Sequence, residues 1–217
     1  EQWRRAANLD PENAAYWAKL GSMEQWDFED GNLRQAAASY ERAVEANPYS
    51  DRYWMELAGV YEMLGDASLA GAAYRRAQVN HPISAAVAWR YGHFLLRQGF
   101  ASEACAQFHR ALLADIELTG GAVAGCWKND LHASQTITEI LPRQSRYYFK
   151  ALDYFLREGD IDGALRVWDG LVGIEKQFEL SQAVPLVNDA ISADRIGDAR
   201  RVWLQALEIS GWPRNAK

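Results

Sequence analysis

Residues 51–82 read DRYWMELAGVYEMLGDASLAGAAYRRAQVNHP, and the fold follows from how this stretch divides. Asp51 stands where a helix N-cap belongs. Trp54, Leu57, Ala58 and Tyr61 then fall at the i, i+3, i+4, i+7 spacing of one helical face. Gly65-Asp66 interrupts that helix. Ala70, Ala73, Tyr74 and Ala77 form the stripe of a second one, and Pro82 cannot extend it. The stretch therefore predicts two antiparallel helices. Small residues let them approach, and aromatic residues fill the space between.

The same unit recurs on both sides. Gly31, Gly65 and Gly99 lie 34 residues apart, as do Ala36, Ala70 and Ala104, then Tyr40, Tyr74 and Phe108, then Ala43, Ala77 and Ala111. Upstream, Trp3, Ala6 and Pro11 precede Tyr40, Ala43 and Pro48 by 37, which places three extra residues around Trp26–Glu29. Downstream, Ala164, Trp168 and Leu171 recur 35 residues later at Ala199, Trp203 and Ala206. The 60 residues from Ala104 to Ala164 leave one short, degenerate unit between. Self-similarity at such a period is the mark of a repeat array in which neighbours supply each other's core.

This pattern resembles the tetratricopeptide repeat (TPR), a helix–turn–helix unit of 34 residues. Trp54, Leu57, Tyr61, Gly65, Ala70, Tyr74, Ala77 and Pro82 carry the resemblance. Trp17, Leu20, Gly21, Ala36, Tyr40, Ala43 and Pro48 carry it in the preceding unit, and Tyr91, Gly92, Leu95, Gly99, Ala104, Phe108 and Ala111 in the following one. It implies an all-α, right-handed α–α superhelix of about five to six stacked helix pairs. The expected divisions are a partial unit and three repeats over 1–114, an irregular, degenerate unit over 115–144, and two TPR-like units with a tail over 145–217. GALRVWDGLV and DARRVWLQALE also resemble half-a-TPR repeats of RNA-processing scaffolds.

Bulk composition agrees with helices. The 217 residues include 35 alanines and only 6 prolines, and alanine is the strongest helix former. Net charge is −6 and the pI about 5.3, against the basic footprint of a nucleic-acid binder. No apolar run is long enough for a membrane span. The start, EQWRRAANLDP, has no signal-peptide core and reads as the end of a helix, as expected of a chain cut inside a repeat. The open repeat surface near Trp3 is expected to be covered by a partner or by self-association. Without a targeting segment, the cytoplasm and a bacterial cell envelope are both compatible.

Segment 115–144 holds DIELTGGAVAGCWKND, whose Gly120, Gly121 and Gly125 predict an irregular turn, then one helix from about Leu131 to Leu141, closed by Pro142. Cys105 and Cys126 could form one disulfide; two separate buried thiols are the preferred reading.

No chemistry emerges. His81, His93, His109 and His132 belong to no catalytic or metal-binding motif. Glu24, Asp27, Glu29 and Asp30 lack the alternation of a calcium loop. No catalytic residue, cofactor or metal is expected. Five of the nine tryptophans (Trp3, Trp17, Trp54, Trp168 and Trp203) occupy repeat-core positions. Trp26, Trp89, Trp127 and Trp212 do not.

The resemblance implies that first helices line a concave face. Its positions are Ala15, Ala18, Ser22 and Gln25, then Arg52, Met55, Gly59 and Glu62, then Ala86, Trp89, His93 and Leu96, then Arg146, Phe149 and Asp153. A peptide groove built on Arg52, Met55, Glu62, Trp89, His93, Arg146 and Phe149 is expected, the aromatics giving apolar area and arginine gripping oxygen. Packing of Trp89 and Phe149 against the next unit is the equal alternative. Chaperone-tail binders of the family carry a lysine and an asparagine where this chain has Ala18 and Ser22, so that ligand is disfavoured. The expected function is a non-catalytic scaffold that binds a peptide or helix of a protein partner. The alternatives are a helical accessory domain of a larger enzyme, such as a TPR-bearing glycosyltransferase, and a half-a-TPR RNA-processing scaffold.

Overall fold

The computed structural model describes residues 2–26, 32–127, 137, 139–174 and 179–211, whose regular structure is helical, with no strand among them. The chain divides into two compact units, 1–100 and 101–217.

In the first unit, α1 (Gln2–Leu9) precedes the pairs α2 (Ala14–Trp26) with α3 (Leu33–Ala46) and α4 (Asp51–Met63) with α5 (Ala67–Asn80), then α6 (Ala85–Arg97). Local chemistry sets these ends. Ser50 and Ser84, not Asp51, are the N-caps of α4 and α6, their hydroxyls accepting from the amides of Tyr53 and Val87. Asp51 is instead the first helical residue, and its carboxylate meets His81 at 3.1 Å. Asn32 and Asp66 cap α3 and α5. Gly65 and Gly99 turn the chain after α4 and α6 at φ +80° and +81°, a conformation that costs glycine little.

The expected stripes form the core. Ala36, Ala43, Ala70 and Ala77 are fully buried, and Tyr40 and Tyr74 are 2% exposed. Tyr74 stacks on Tyr91 of α6 at 5.5 Å and lies 5.3 Å from Phe94, so the stripe of one pair is the seat of the next. Gly21 is required at its place, because a Cβ there would lie 2.9 Å from the Tyr40 ring. The core tryptophans carry a second repeat feature. Trp17 and Trp54 each donate from Nε1 to the carbonyl of the proline six residues earlier, Pro11 and Pro48, at 2.9 and 2.8 Å.

The second unit contains α7 (Ala101–Ala114), a 3-10 turn at Ile116–Leu118, α8 (Thr119–Trp127), the pair α9 (Ser145–Glu158) with α10 (Ile161–Ile174), a 3-10 turn at Leu180–Ala183, and the pair α11 (Val184–Ser192) with α12 (Ile196–Ile209). Trp168 is fully buried and donates to Gln205 at 2.9 Å. Trp203, by contrast, is half-buried beside Val187 and Ile191 in an open groove. The glycine-rich stretch is a helix, not the expected irregular turn. Tertiary packing overrides its poor propensity: a Cβ on Gly120 would lie 2.7 Å from the Tyr154 ring of α9, so glycine is what lets the two helices meet. Of the helix expected over Leu131–Leu141, only Ile137 and residues 139–141 are described, and 137, 139 and 140 are helical. His132, Trp212, the acidic residues Asp27, Glu29 and Asp30 and most of the expected insertion lie outside the described residues.

Candidate functional site

Within the first unit, α2 and α4, the first helices of their pairs, line one face, and α6 packs beside α4. Between α2 and α4 opens a cavity of about 380 Å³ lined by Ala15, Ala18, Lys19, Ser22, Trp26, Tyr40, Arg52, Tyr53 and Glu56. Ala15 and Ala18 leave it room. Trp26 is 62% exposed at its rim. The Tyr40 hydroxyl reaches in and donates to Gln25 at 3.4 Å. Burial, with the Glu56 carboxylate, pushes its pKa up to about 12; Ser22 and the guanidinium groups of Arg52 and Arg90 oppose the rise.

The charge balance of this cavity favours an anion. Glu56 is already neutralised by Arg90, whose Nη1 donates to it at 3.2 Å while Nη2 donates to the Met55 carbonyl at 3.1 Å. Gly59 makes that posture possible, since a Cβ there would lie 3.1 Å from Arg90 Nη2. Lys19 and Arg52 are exposed and form no ion pair among the described residues. Two cations, the Ser22 hydroxyl and two tyrosine rings thus face the same space.

Arg97 repeats the Arg90 ion pair about two turns along α6. It donates to Glu62 through Nε at 3.1 Å and Nη2 at 2.5 Å, and Glu62 also accepts from the Tyr74 hydroxyl at 2.7 Å. The α4–α6 seam is therefore a ladder of ion pairs one repeat apart. Each is partly exposed and contributes modestly.

The expected groove residues fare differently. Arg52 faces the cavity. Met55 does not belong to an open groove: it is 8% exposed and packed with Ala77 and Val87, because α6 closes over it. Glu62 is a seam residue, held by Arg97 and Tyr74. Trp89 and His93 are half-buried on successive turns of α6 and meet edge to face at 4.6 Å. Burial, and then Arg97, lowers the His93 pKa. In the second unit, Arg146 and Phe149 come together in a groove of about 680 Å³ with Ser145, Lys150, Asp153, Glu179 and Gln182. Arg146 lies 4.9 Å from the Tyr147 ring centroid, and Lys150 donates to Glu117 at 2.6 Å.

Sequence reading missed Lys19, Tyr40 and Tyr53 as cavity residues. Tyr40 was assigned wholly to the core, and the other two adjoin positions taken to line the face. The signal for the ladder was present: Glu56 and Arg90 are 34 residues apart, and Glu62 and Arg97 are 35 apart. A second groove, of about 650 Å³, lies on the other side of this unit among α3, α4 and α5, between Glu41 and Glu45 on one wall and Arg75 and Arg76 on the other.

Among the described residues, no group of three or more histidine, cysteine or acidic side chains is fit to hold a metal, and no helix is long and apolar enough to cross a membrane.

Helix pairs that supply each other's core define a helical-repeat protein. Residues 27–85 match the family model of the tetratricopeptide repeat. A stretch of 71 residues is 35% identical to human general transcription factor 3C polypeptide 3, covering 33% of this chain and 8% of that protein. The chain thus spans less than a tenth of the curated relative it matches. Among solved structures, a chain of the APC/C hetero-tetramer Cut9-Hcn1 shares the fold, with TM-score 0.51 and 12% identity over 98% of this chain and 43% of that one. YrrB, a TPR protein with an unusual peptide-binding site, aligns at TM-score 0.48 and 14% identity over 98% and 94% of the two chains. Proteins of this repeat are generally non-catalytic scaffolds with protein or peptide partners.

Proposed function

We propose that this chain is a non-catalytic interaction scaffold that takes an extended acidic peptide segment of a protein partner into the α2–α4 cavity. The observation that carries the reading is the charge of that cavity, where Lys19 and Arg52, which form no ion pair among the described residues, stand beside Ser22, Tyr40 and Tyr53. A carboxylate of the peptide lies against Lys19 and Arg52, in charge-assisted hydrogen bonds stronger than neutral ones. Trp26 offers the flanking apolar surface, which suits a ligand with a hydrophobic residue next to its acid. Trp89 and His93 of α6 extend the same face, and the Arg146–Phe149 groove gives the second unit a contact surface of its own.

Selection from a random displayed-peptide library on the immobilised chain tests this. Peptides rich in aspartate and glutamate should be enriched, and Lys19→Glu with Arg52→Glu should abolish their capture. Failure to enrich acidic peptides, or undiminished capture after charge reversal, would contradict the proposal.

A further inference from the structure

Cys105 of α7 and Cys126 of α8 are 4% and 2% exposed, and their sulfurs lie 3.3 Å apart. No disulfide bond joins them in this structure, but they are neighbours and not the separate thiols expected. A disulfide needs about 2.0 Å between sulfurs, so a closing movement of about 1.3 Å would join them. That is within the reach of small side-chain rotations in two facing helices.

We infer that Cys105 and Cys126 are a dithiol modification site, which thiol–disulfide exchange with a small disulfide such as oxidised glutathione converts to an internal disulfide linking α7 to α8. One cysteine, as its thiolate, attacks a glutathione sulfur; the glutathione S–S bond breaks and one reduced glutathione leaves. The second thiolate attacks the mixed disulfide, forming the Cys105–Cys126 bond and releasing the second glutathione. The two cysteine sulfurs give up two electrons and their protons, and the glutathione disulfide takes up both.

Burial hinders the first step, and α8 supplies the way past it. Its nine residues, TGGAVAGCW, include three glycines, which after proline are the weakest helix formers. Such a helix opens locally more readily than its neighbours, exposing Cys126 without unfolding the unit. The consequence reaches the candidate groove of the second unit. Gly120 of α8 seats Tyr154 of α9, and α9 carries Arg146 and Phe149. Tethering α8 to α7 therefore stiffens the support of that surface.

The test treats the whole 217-residue chain with oxidised glutathione at neutral pH, quenches with acid, alkylates in denaturant with a maleimide and weighs the intact protein. The expected product is a monomer lighter by two hydrogen atoms, carrying no maleimide, and restored to its starting mass by a reductant. Cys126→Ser under the same treatment should carry glutathione or maleimide on Cys105 and lose no hydrogens. Two maleimides, stable glutathione adducts or disulfide-linked dimers in the wild-type chain would overturn the inference.

Discussion

Replacing Ala70 by leucine puts the repeat register under direct strain. Ala70 is fully buried at the α4–α5 contact, in a unit whose helices approach through alanines at one-period spacing. Leucine adds three carbon atoms where the structure leaves no space. Alanine and leucine are both strong helix formers, so helix propensity contributes almost nothing to the difference. What remains is overpacking, which costs about 1–3 kcal/mol. With a urea dependence of about 2 kcal/mol per molar, a 2 kcal/mol loss lowers the unfolding midpoint of this unit by about 1 M. Ala72→Leu is the control. It lies on the same helix but is exposed, and surface changes usually stay within about 0.5 kcal/mol. Circular dichroism against urea reads both variants. Equal midpoints for Ala70→Leu and the wild type would refute the assignment of that alanine to the inter-helix contact, and with it the register of the whole array.

Other outcomes follow from individual contacts. Tyr74→Phe removes the hydroxyl that donates to Glu62 but leaves Arg97 in place, so a loss of about 1 kcal/mol is expected in the same urea titration. Because burial and Arg97 hold the folded-state pKa of His93 below its unfolded value of 6.5, the unfolded chain binds more protons near that pH. Stability should therefore fall as pH drops through 6.5 toward the folded pKa, and His93→Gln should flatten that part of a melting-temperature profile. Burial raises the Tyr40 pKa from 10.0 to about 12, so its contribution to stability is complete below pH 10 and is lost as pH rises toward about 12. Tyr40→Phe should remove one tyrosinate component titrating at about 12 from the absorbance titration. Trp89→Ala combined with Arg52→Ala should weaken capture of acidic peptides; a large loss of melting temperature would instead assign Trp89 to packing.

Much of the fold was legible because the residues that build a repeat are conformationally or sterically singular. Gly65 and Gly99 stand where positive φ is needed, and Tyr74 carries the stripe of one pair onto the next helix. The site was less legible. Periodicity puts Met55 on the same stripe as Arg52, but whether a stripe residue faces solvent depends on how closely the next helix approaches, and Val87 closes that space. Glu62 looked like a groove residue because the sequence shows its spacing but not its partner, Arg97. The glycine-rich stretch 119–127 misled for the opposite reason. Gly120 reads as a helix breaker in isolation, while its absent Cβ is what admits Tyr154. The Cys105–Cys126 contact joins residues 21 apart, off the repeat period, and so leaves no periodic trace.

The central claim is that ligands engage the first-helix face through Lys19 and Arg52. It is tested most directly by a backbone amide chemical-shift map of the chain titrated with an acidic peptide taken from the display selection. The account predicts shifts concentrated at Ala15–Ser22 of α2 and Arg52–Glu56 of α4, lost in the Lys19→Glu, Arg52→Glu variant. Shifts confined to Glu45, Ala72 and Arg76, on the groove among α3, α4 and α5, would contradict it.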